Sequence, residues 1–418
     1  MARNDFFAAI DVGTTKVCTI VGDTDYEATG GGAIRVLGVG IAPSAGISKG
    51  MVENIHDATE AIRVSVEKAE RASGLSITRA YVGIAGAHIS SLNNRGIATI
   101  PDRDQAITDS DVARAIEGAR SLSIPTNRDV LHVIPRYYIV DGQDNVSDPV
   151  GMHGQRLDVD THIITGAISA MRNLSRCVEN AGVQVETLVL EPLASADAVL
   201  RDEERRQGVV LADIGGGTTD VAIFVDGAVF HTAVLPVGGY HLTHDLVVGL
   251  RVPFDSAESA KLQYGSALPS SVPADERVEL EAFGGEGRIS VHRPRLCEIL
   301  QARSEEIIEM IFREVRQAGY DEMISAGLVL TGGSANLPGF VELAQDVLSM
   351  PVRIGYPVGL GGLADSLSNP AYATGVGLLH WAMRDGGQHS RLAPAAPRLS
   401  VPDWLKGMRR LMRGFLPE

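Results

Sequence analysis

The chain has 418 residues, enough for two large domains with subdomains. Hydrophobic residues make up 44% and charged residues 21%, the balance of a soluble globular protein rather than a disordered or membrane-spanning one. A net charge of -15 disfavours a general nucleic-acid role, which needs a basic footprint. The cysteines, Cys18, Cys177 and Cys297, are odd in number, scattered and without metal-ligand spacing, which fits a reducing cytoplasm. Residues 1–7 run straight into the first expected strand, so no signal peptide is expected, and no apolar run reaches bilayer length.

The apolar Ala8-Ala9-Ile10 leads into Asp11-Val12-Gly13-Thr14-Thr15-Lys16, and residues 17–21 are apolar again. That reads as strand, Asp-x-Gly-x-Thr-Thr turn, strand. Residues 36–40 form a further strand and 48–54 a turn. Asp57 is placed to cap a helix with an apolar stripe of Ala61, Ile62, Val64, Val66 and Ala69, which Gly74 ends. Residues 81–166 read as an insertion. Strands are expected at 81–86, 96–100, 131–134, 136–140 and 157–164, with a helix from Thr108 to about Ser121 capped by Asp109 or Ser110. His132, His153 and His162 lie here, but nothing fixes a shared metal geometry, so they read as structural. A helix around 171–182, a strand at 183–190 and a helix opening at Glu191-Pro192 follow. Residues 201–207 are a polar hinge candidate.

The apolar run 209–212 then meets Asp213-Ile214-Gly215-Gly216-Gly217-Thr218-Thr219-Asp220, with a second run at 221–225. Three glycines permit a turn whose bare N–H groups converge on a phosphate. Asp213, at the strand end, is placed to hold Mg²⁺ through water. This turn repeats the plan of the first one about 200 residues earlier, so two similar halves facing one nucleotide are expected. Leu235-Pro236-Val237-Gly238-Gly239 is a turn before a helix. Glu258 and Lys261 share a helical face, as a surface ion pair or as a grip on ribose and adenine. Residues 266–290 read as a polar β segment and 295–316 as a long charged helix. Residues 327–339, Gly327-Leu328-Val329-Leu330-Thr331-Gly332-Gly333-Ser334-Ala335-Asn336-Leu337-Pro338-Gly339, hold a third glycine loop, similar to the adenosine-binding segment of the actin and heat-shock-chaperone superfamily. A helix of small residues at 370–379 precedes a linker at 384–400.

The tail, 401–418, has a different character. At about 100° per residue, Trp404, Met408, Leu411 and Phe415 line one face, widened by Leu405, Met412 and Leu416. Lys406, Arg409, Arg410 and Arg413 fall opposite. This is the form of a helix lying in a membrane interface with its basic side toward anionic lipid. Docking on the protein's own surface or on a partner fits the preceding linker, and the basic face on an acidic chain, less well.

These motifs, with Ser48-Lys49-Gly50 and Gly83-Ile84-Ala85-Gly86-Ala87-His88-Ile89, resemble the FtsA family of bacterial actin homologues, over nearly the whole chain apart from the linker. The resemblance implies an α/β actin-like ATPase fold: two similar halves around a nucleotide cleft, an inserted α+β subdomain and a C-terminal amphipathic helix. The first core subdomain would take 1–80 and 167–202, and the insertion 81–166. The second core subdomain would take 203–245 and 318–383, and its smaller companion 246–317. ATP would be held by Gly13, Thr14, Thr15, Lys16, Gly215, Gly216, Gly217, Thr218, Thr219, Gly238, Gly239, Glu258, Lys261, Gly332, Gly333 and Ser334. Asp11 and Asp213 would hold Mg²⁺ through water. Glu191 would position the attacking water, if it does not simply cap its helix. Any ATPase activity would be slow and serve as a polymerisation switch.

The implied partners are the acidic tail of FtsZ, met by Arg303 and Glu306 with Arg293 or Arg295 nearby, later division proteins at the insertion, and further copies in filaments. The implied place is the cytoplasmic face of the inner membrane at midcell. A sugar or acetate kinase shares such a core, but no substrate acid or base is evident and the tail would go unexplained. A chaperone would need a peptide-binding domain for which the chain is too short. A pilus-assembly actin homologue should lack the basic tail.

Overall fold

The computed structural model describes residues 6–24, 34–101, 106–283 and 287–392. The amphipathic tail from Trp404 to Phe415 and residues 393–400 of the expected linker lie outside them. Met1–Ala382 is one compact unit; of the second, Met383–Glu418, the described part is the end of the last helix.

The first half opens with an antiparallel meander, β1 (Phe6–Val12), β2 (Lys16–Thr24) and β3 (Ile34–Pro43). A small hairpin, β4 (Ile47–Ser48) and β5 (Met51–Val52), precedes helix α1 (Ile55–Ser73) and strand β6 (Arg79–Ile84). Helix α1 buries Ala58, Ala61, Ile62, Val66 and Ala69. Its cap is Asn54 rather than the expected Asp57, because Asn54 Oδ1 accepts from the N–H groups of His56 (2.9 Å) and Asp57 (3.2 Å). Gly74, at φ 70°, ends it as expected. The helix lies so close to β3 that a β-carbon at Gly40 would stand 1.9 Å from Ser65 O.

The insertion is a four-stranded sheet in the order β7-β10-β8-β9, built from β7 (Ser90–Thr99), β8 (Arg128–Val140), β9 (Gln143–Val146) and β10 (Arg156–Ala167). Helix α2 (Asp109–Arg120) covers it. Thr108 caps this helix, one residue before the expected caps, with its N–H and hydroxyl both bound by Asp111 Oδ2 (2.9 and 2.6 Å). The strands expected at 131–134 and 136–140 are one. Asp160 pairs with Tyr137 and Thr161 with Pro135, so Arg136 is an extra residue in a bulge. The break in the sequence pattern was that bulge.

The expected boundary at residue 81 is corrected. β6 lies inside the first core sheet, between β1 and the later strand β11 (Gln184–Leu190). Its residues after Arg79 are all buried, which suits the middle of a two-sided sheet and not a one-sided insertion. Helix α3 (Ile168–Asn180) precedes β11, and α4 (Glu191–Val199) follows it.

The second half begins with α5 (Asp202–Gln207), a short helix where a hinge was expected. Strands β12 (Val209–Ile214), β13 (Thr219–Val225) and β14 (Ala228–Leu235) repeat the opening meander. Helices α6 (Gly239–Leu250) and α7 (Phe254–Tyr264), the hairpin β15 (Arg277–Glu281) with β16 (Arg288–His292), and the long helix α8 (Arg293–Ala318) form the smaller subdomain. Helix α6 is continuous across the expected boundary at 245 and packs on α7 and α8. β17 (Gly327–Thr331), α9 (Phe340–Leu348) and β18 (Val352–Ile354) complete the second sheet, in the order β14-β13-β12-β17-β18. The first sheet has the same order, β3-β2-β1-β6-β11, with β19 (Leu360–Gly362) added beside β3. Helix α10 (Ala373–Leu392) runs into the expected linker.

Among the contacts that join the halves, two bear on the site. Gly377 of α10 presses on α4, where a β-carbon would stand 1.7 Å from Ala194 O. The insertion bonds to β14: Ser91 Oγ donates to Thr232 O (2.8 Å) and Asn93 Nδ2 to Phe230 O (3.2 Å). The buried His162 ring lies between Asn93 Oδ1 (2.8 Å) and Thr232 Oγ1 (3.0 Å). Among the described residues no helix is long and apolar enough to cross a membrane.

Candidate functional site

Each meander turns tightly between its first two strands. Gly13 N–H donates to Lys16 O (3.1 Å) in one turn, and Gly215 N–H to Thr218 O (2.9 Å) in the other. The turns meet tip to tip. A β-carbon at Gly216 would stand 2.4 Å from Thr15 Cγ2, and one at Gly217 2.7 Å from Thr14 Oγ1. Behind the second turn, the N–H groups of Gly239 and Tyr240 donate to Gly215 O (2.9 Å) and Gly216 O (2.7 Å), so α6 braces it.

The turns open into a cavity of about 660 Å³. Of the residues expected around a nucleotide, Gly13, Thr14, Thr15, Lys16, Gly215, Gly216 and Thr218 line it, as do Gly239, Glu258, Lys261, Gly333 and Ser334. Asp11, Asp213 and Glu191 line it too. Four expected residues are supports instead. Gly217 packs on Thr14, and Thr219 Oγ1 donates to Val237 O (2.8 Å). Gly238 leaves room for Gly215 O, and Gly332 (φ 85°) passes beside Asp213, where a β-carbon would stand 2.4 Å from Oδ1.

Glu258 and Lys261 are both an ion pair (2.7 Å) and part of the wall; Lys261 Nζ also donates to Thr243 Oγ1 (2.9 Å) on α6. Lys16 Nζ donates to Ala371 O (2.5 Å). Sequence reasoning missed several liners: Ser44, Tyr240, Phe254 and Thr374; Asp220 and Asn336 lie within quoted motifs but were not assigned to the site. The Tyr240 and Phe254 rings stack at 5.3 Å, a pairing of different helices that no local pattern announces.

Electrostatically the site is over-supplied with acid. Burial pushes Asp11 up to about 6; Lys16 opposes this and the Asp213 charge adds to it. Glu191 and Asp220 are raised well above the usual carboxylate range, by burial first and then by neighbouring carboxylates. Asp213 is raised by burial, although Ser195 Oγ (2.6 Å) and Thr374 Oγ1 (3.1 Å) donate to its Oδ2. Asp220 Oδ1 is buried with no partner. Such a cluster lacks positive charge, and a divalent cation would supply it. Among the described residues no three His, Cys, Asp or Glu side chains are grouped as direct metal ligands. Mg²⁺, which keeps most of its waters, is a divalent ion that such carboxylates can hold. Glu191 is the first residue of α4 and lines the cleft; the expected capping role is not met, since the N-cap is Leu190 and no side chain caps the helix.

The basic site expected on α8 is not open. Arg303 binds both oxygens of Asp245 on α6 (2.6 and 3.0 Å) and also Glu306. Arg293 holds Glu276 and Tyr264 O (both 2.8 Å), and Arg295 holds Glu298 (2.9 Å). Arg293 and Arg303 are ten residues apart, about 15 Å along the helix.

Known proteins share this architecture. A family model described as cell division protein FtsA matches residues 210–377, and one described as the SHS2 domain inserted in FtsA matches 86–165, the inserted sheet. A third, ethanolamine utilisation protein EutA, matches 167–251. The cell division protein FtsA of Pseudomonas aeruginosa is 39% identical over 409 residues, covering 95% of this chain and 97% of that one. Among solved structures, a PilM–PilN type IV pilus biogenesis complex superposes with a TM-score of 0.62 at 14% identity, covering 89% of this chain and 97% of that one. MreB5 of Spiroplasma citri bound to ADP does so at 0.54 and 14%, covering 92% and 98%. These likenesses establish the actin-like fold. Identity at the level of the Pseudomonas protein, sustained along nearly the full length of both chains and with the insertion matched separately, places this chain in the FtsA family of cell division proteins.

Proposed function

We propose that the protein is a nucleotide-switched membrane adaptor of cell division. ATP in the cleft touches both turns and so sets the angle between the halves; that angle governs polymerisation. The observation that carries this reading is the tip-to-tip meeting of two glycine turns over a cavity walled by buried carboxylates. Mg²⁺, held through its waters by Asp11 and Asp213, would neutralise those carboxylates and the phosphates together. Lys16 would exchange Ala371 O for a phosphate oxygen. Glu191 would orient a water for slow hydrolysis, a reaction that depends mainly on positioning.

Polymerised subunits would hold FtsZ filaments at the inner face of the cytoplasmic membrane, at midcell. The smaller subdomain would take the acidic FtsZ tail, with Arg303 trading Asp245 for peptide carboxylates, and the insertion would meet later division proteins. Each C-terminal helix binds lipid weakly; polymerisation multiplies the helices, and attachment rises by avidity. No nucleic acid is involved.

Pelleting with anionic vesicles tests this. The intact protein should pellet with vesicles more completely with ATP and Mg²⁺ than without. A chain ending at residue 400, Trp404→Glu, and the pair Arg409→Glu with Arg410→Glu should all stay in solution while still binding ATP. Added salt should release the native chain, because it screens the surface potential. If the native chain ignores vesicles and Trp404→Glu instead lowers the melting temperature, the tail packs on the protein and the adaptor reading falls.

A further inference from the structure

β11 is an edge strand of the first sheet. Its last residue, Leu190, leads into α4 and has no side chain able to cap that helix. The Leu190 N–H is satisfied from another subdomain: it donates to Nε2 of His132 on β8 of the insertion, at 3.1 Å. The next residue is Glu191, in the cleft wall. The His132 ring also lies 5.3 Å from the ring of Trp381, tilted by 46°. Trp381 belongs to α10, whose Thr374 donates to Asp213 in the same cleft (3.1 Å). One imidazole thus touches the insertion's sheet, the strand-to-helix junction before Glu191 and the helix that leads to the C-terminal segment.

We propose that His132 is a positioning residue for Glu191, and that through it the insertion and helix α10 sense the nucleotide held in the cleft. The inference rests on the nucleotide reading of that cleft. A neutral imidazole is required, since Nε2 must accept a proton and not carry one. Burial pushes His132 down to about 4, so it stays neutral across the physiological range. Any motion of Glu191 toward or away from a bound phosphate would move Leu190, and with it the ring seated against Trp381. In the reverse direction, a partner that shifts the insertion would pull on the strand-to-helix junction that presents Glu191.

The chain has two tryptophans, Trp381 and Trp404. Trp404→Phe leaves Trp381 as the reporter in the full-length protein. Its emission should differ between ADP and a non-hydrolysable ATP analogue, each with Mg²⁺. His132→Leu should remove that difference and slow ATP turnover about tenfold or more, the scale of a small misplacement near the chemistry. ATP affinity by calorimetry should stay within about threefold, because His132 does not line the cleft. His132→Gln, whose amide oxygen can accept the Leu190 N–H, should recover turnover. Hydrogen exchange in the unmutated chain gives the same answer should leucine prevent folding: the 188–192 segment should change protection between the two nucleotides. Equal behaviour of the leucine and glutamine variants, or Trp381 emission indifferent to a nucleotide that calorimetry shows bound, overturns this inference alone. Absence of nucleotide binding overturns the cleft reading and this inference with it.

Discussion

At Gly216 a β-carbon would meet the Thr15 methyl at 2.4 Å, so one added carbon must displace the Thr15 side chain from the meeting point of the two turns. Gly216→Val should abolish ATP binding by filling the meeting point, and Asp213→Ala should do so through lost Mg²⁺. Calorimetry checks both, with circular dichroism to confirm the fold; unchanged affinity in both would remove the site. Histidine titration makes a separate prediction. His162 is 1% exposed and held down to about 3, first by burial and then by the nearby His231 and Arg136 charges. The folded chain therefore refuses a proton that the unfolded chain accepts near 6.5. Its contribution is intact above that pH and is lost as pH falls toward 3, by about 2 kcal/mol at pH 5. Urea midpoints should drop between pH 7 and 5, and His162→Gln should shrink the drop by about half, because His132, pushed down to about 4, refuses its proton in the same range. Residues inside a contiguous motif were legible in advance because turn chemistry is local. Ser195 and Thr374, which bond Asp213 from distant helices, were not, because only the tertiary fold brings them there.

Helices and strands were legible where periodicity was strong, and they were misread at their junctions. β6 went to the wrong subdomain because a buried run looks the same in either sheet; its pairing with β1 and β11 decides the matter. Asn54 displaced Asp57 as cap because the helix begins at Ile55, three residues earlier than a cap at Asp57 would place it. On α8 the sequence showed Arg303 but not Asp245, which lies on another helix. That bidentate pair, about a quarter exposed, joins α6 to α8. Arg303→Asp should lower stability by roughly 1.5–3 kcal/mol, toward the lower end for its exposure. Adding Asp245→Arg should restore the pair in reverse and recover the melting temperature. If Arg303 also meets the FtsZ tail, the double variant will fold normally and still bind an acidic FtsZ peptide at least about tenfold more weakly. Full peptide affinity in the double variant would move that contact elsewhere.

The likeness of the two halves and their paired turns were readable from one repeated motif about 200 residues apart; the shared strand order came only with the structure. How the halves touch was not, since it depends on backbone approach. The contact of Gly377 with Ala194 O has a genetic corollary. A methyl group at 377 would meet backbone, which has no rotamer to escape into, so the helices α4 and α10 must separate. Gly377→Ala should then behave as a conditional allele in a cell that depends on this protein. Such a cell would divide when cool and elongate without dividing when warmed, as the loosened helices give way. Cell length at two growth temperatures measures it, and equal length at both would mean the helices tolerate the methyl. Trimming Ala194 to glycine should give no relief, because the obstruction is a carbonyl oxygen. Suppressors should arise instead where a whole helix can be shifted, along the buried side of α4.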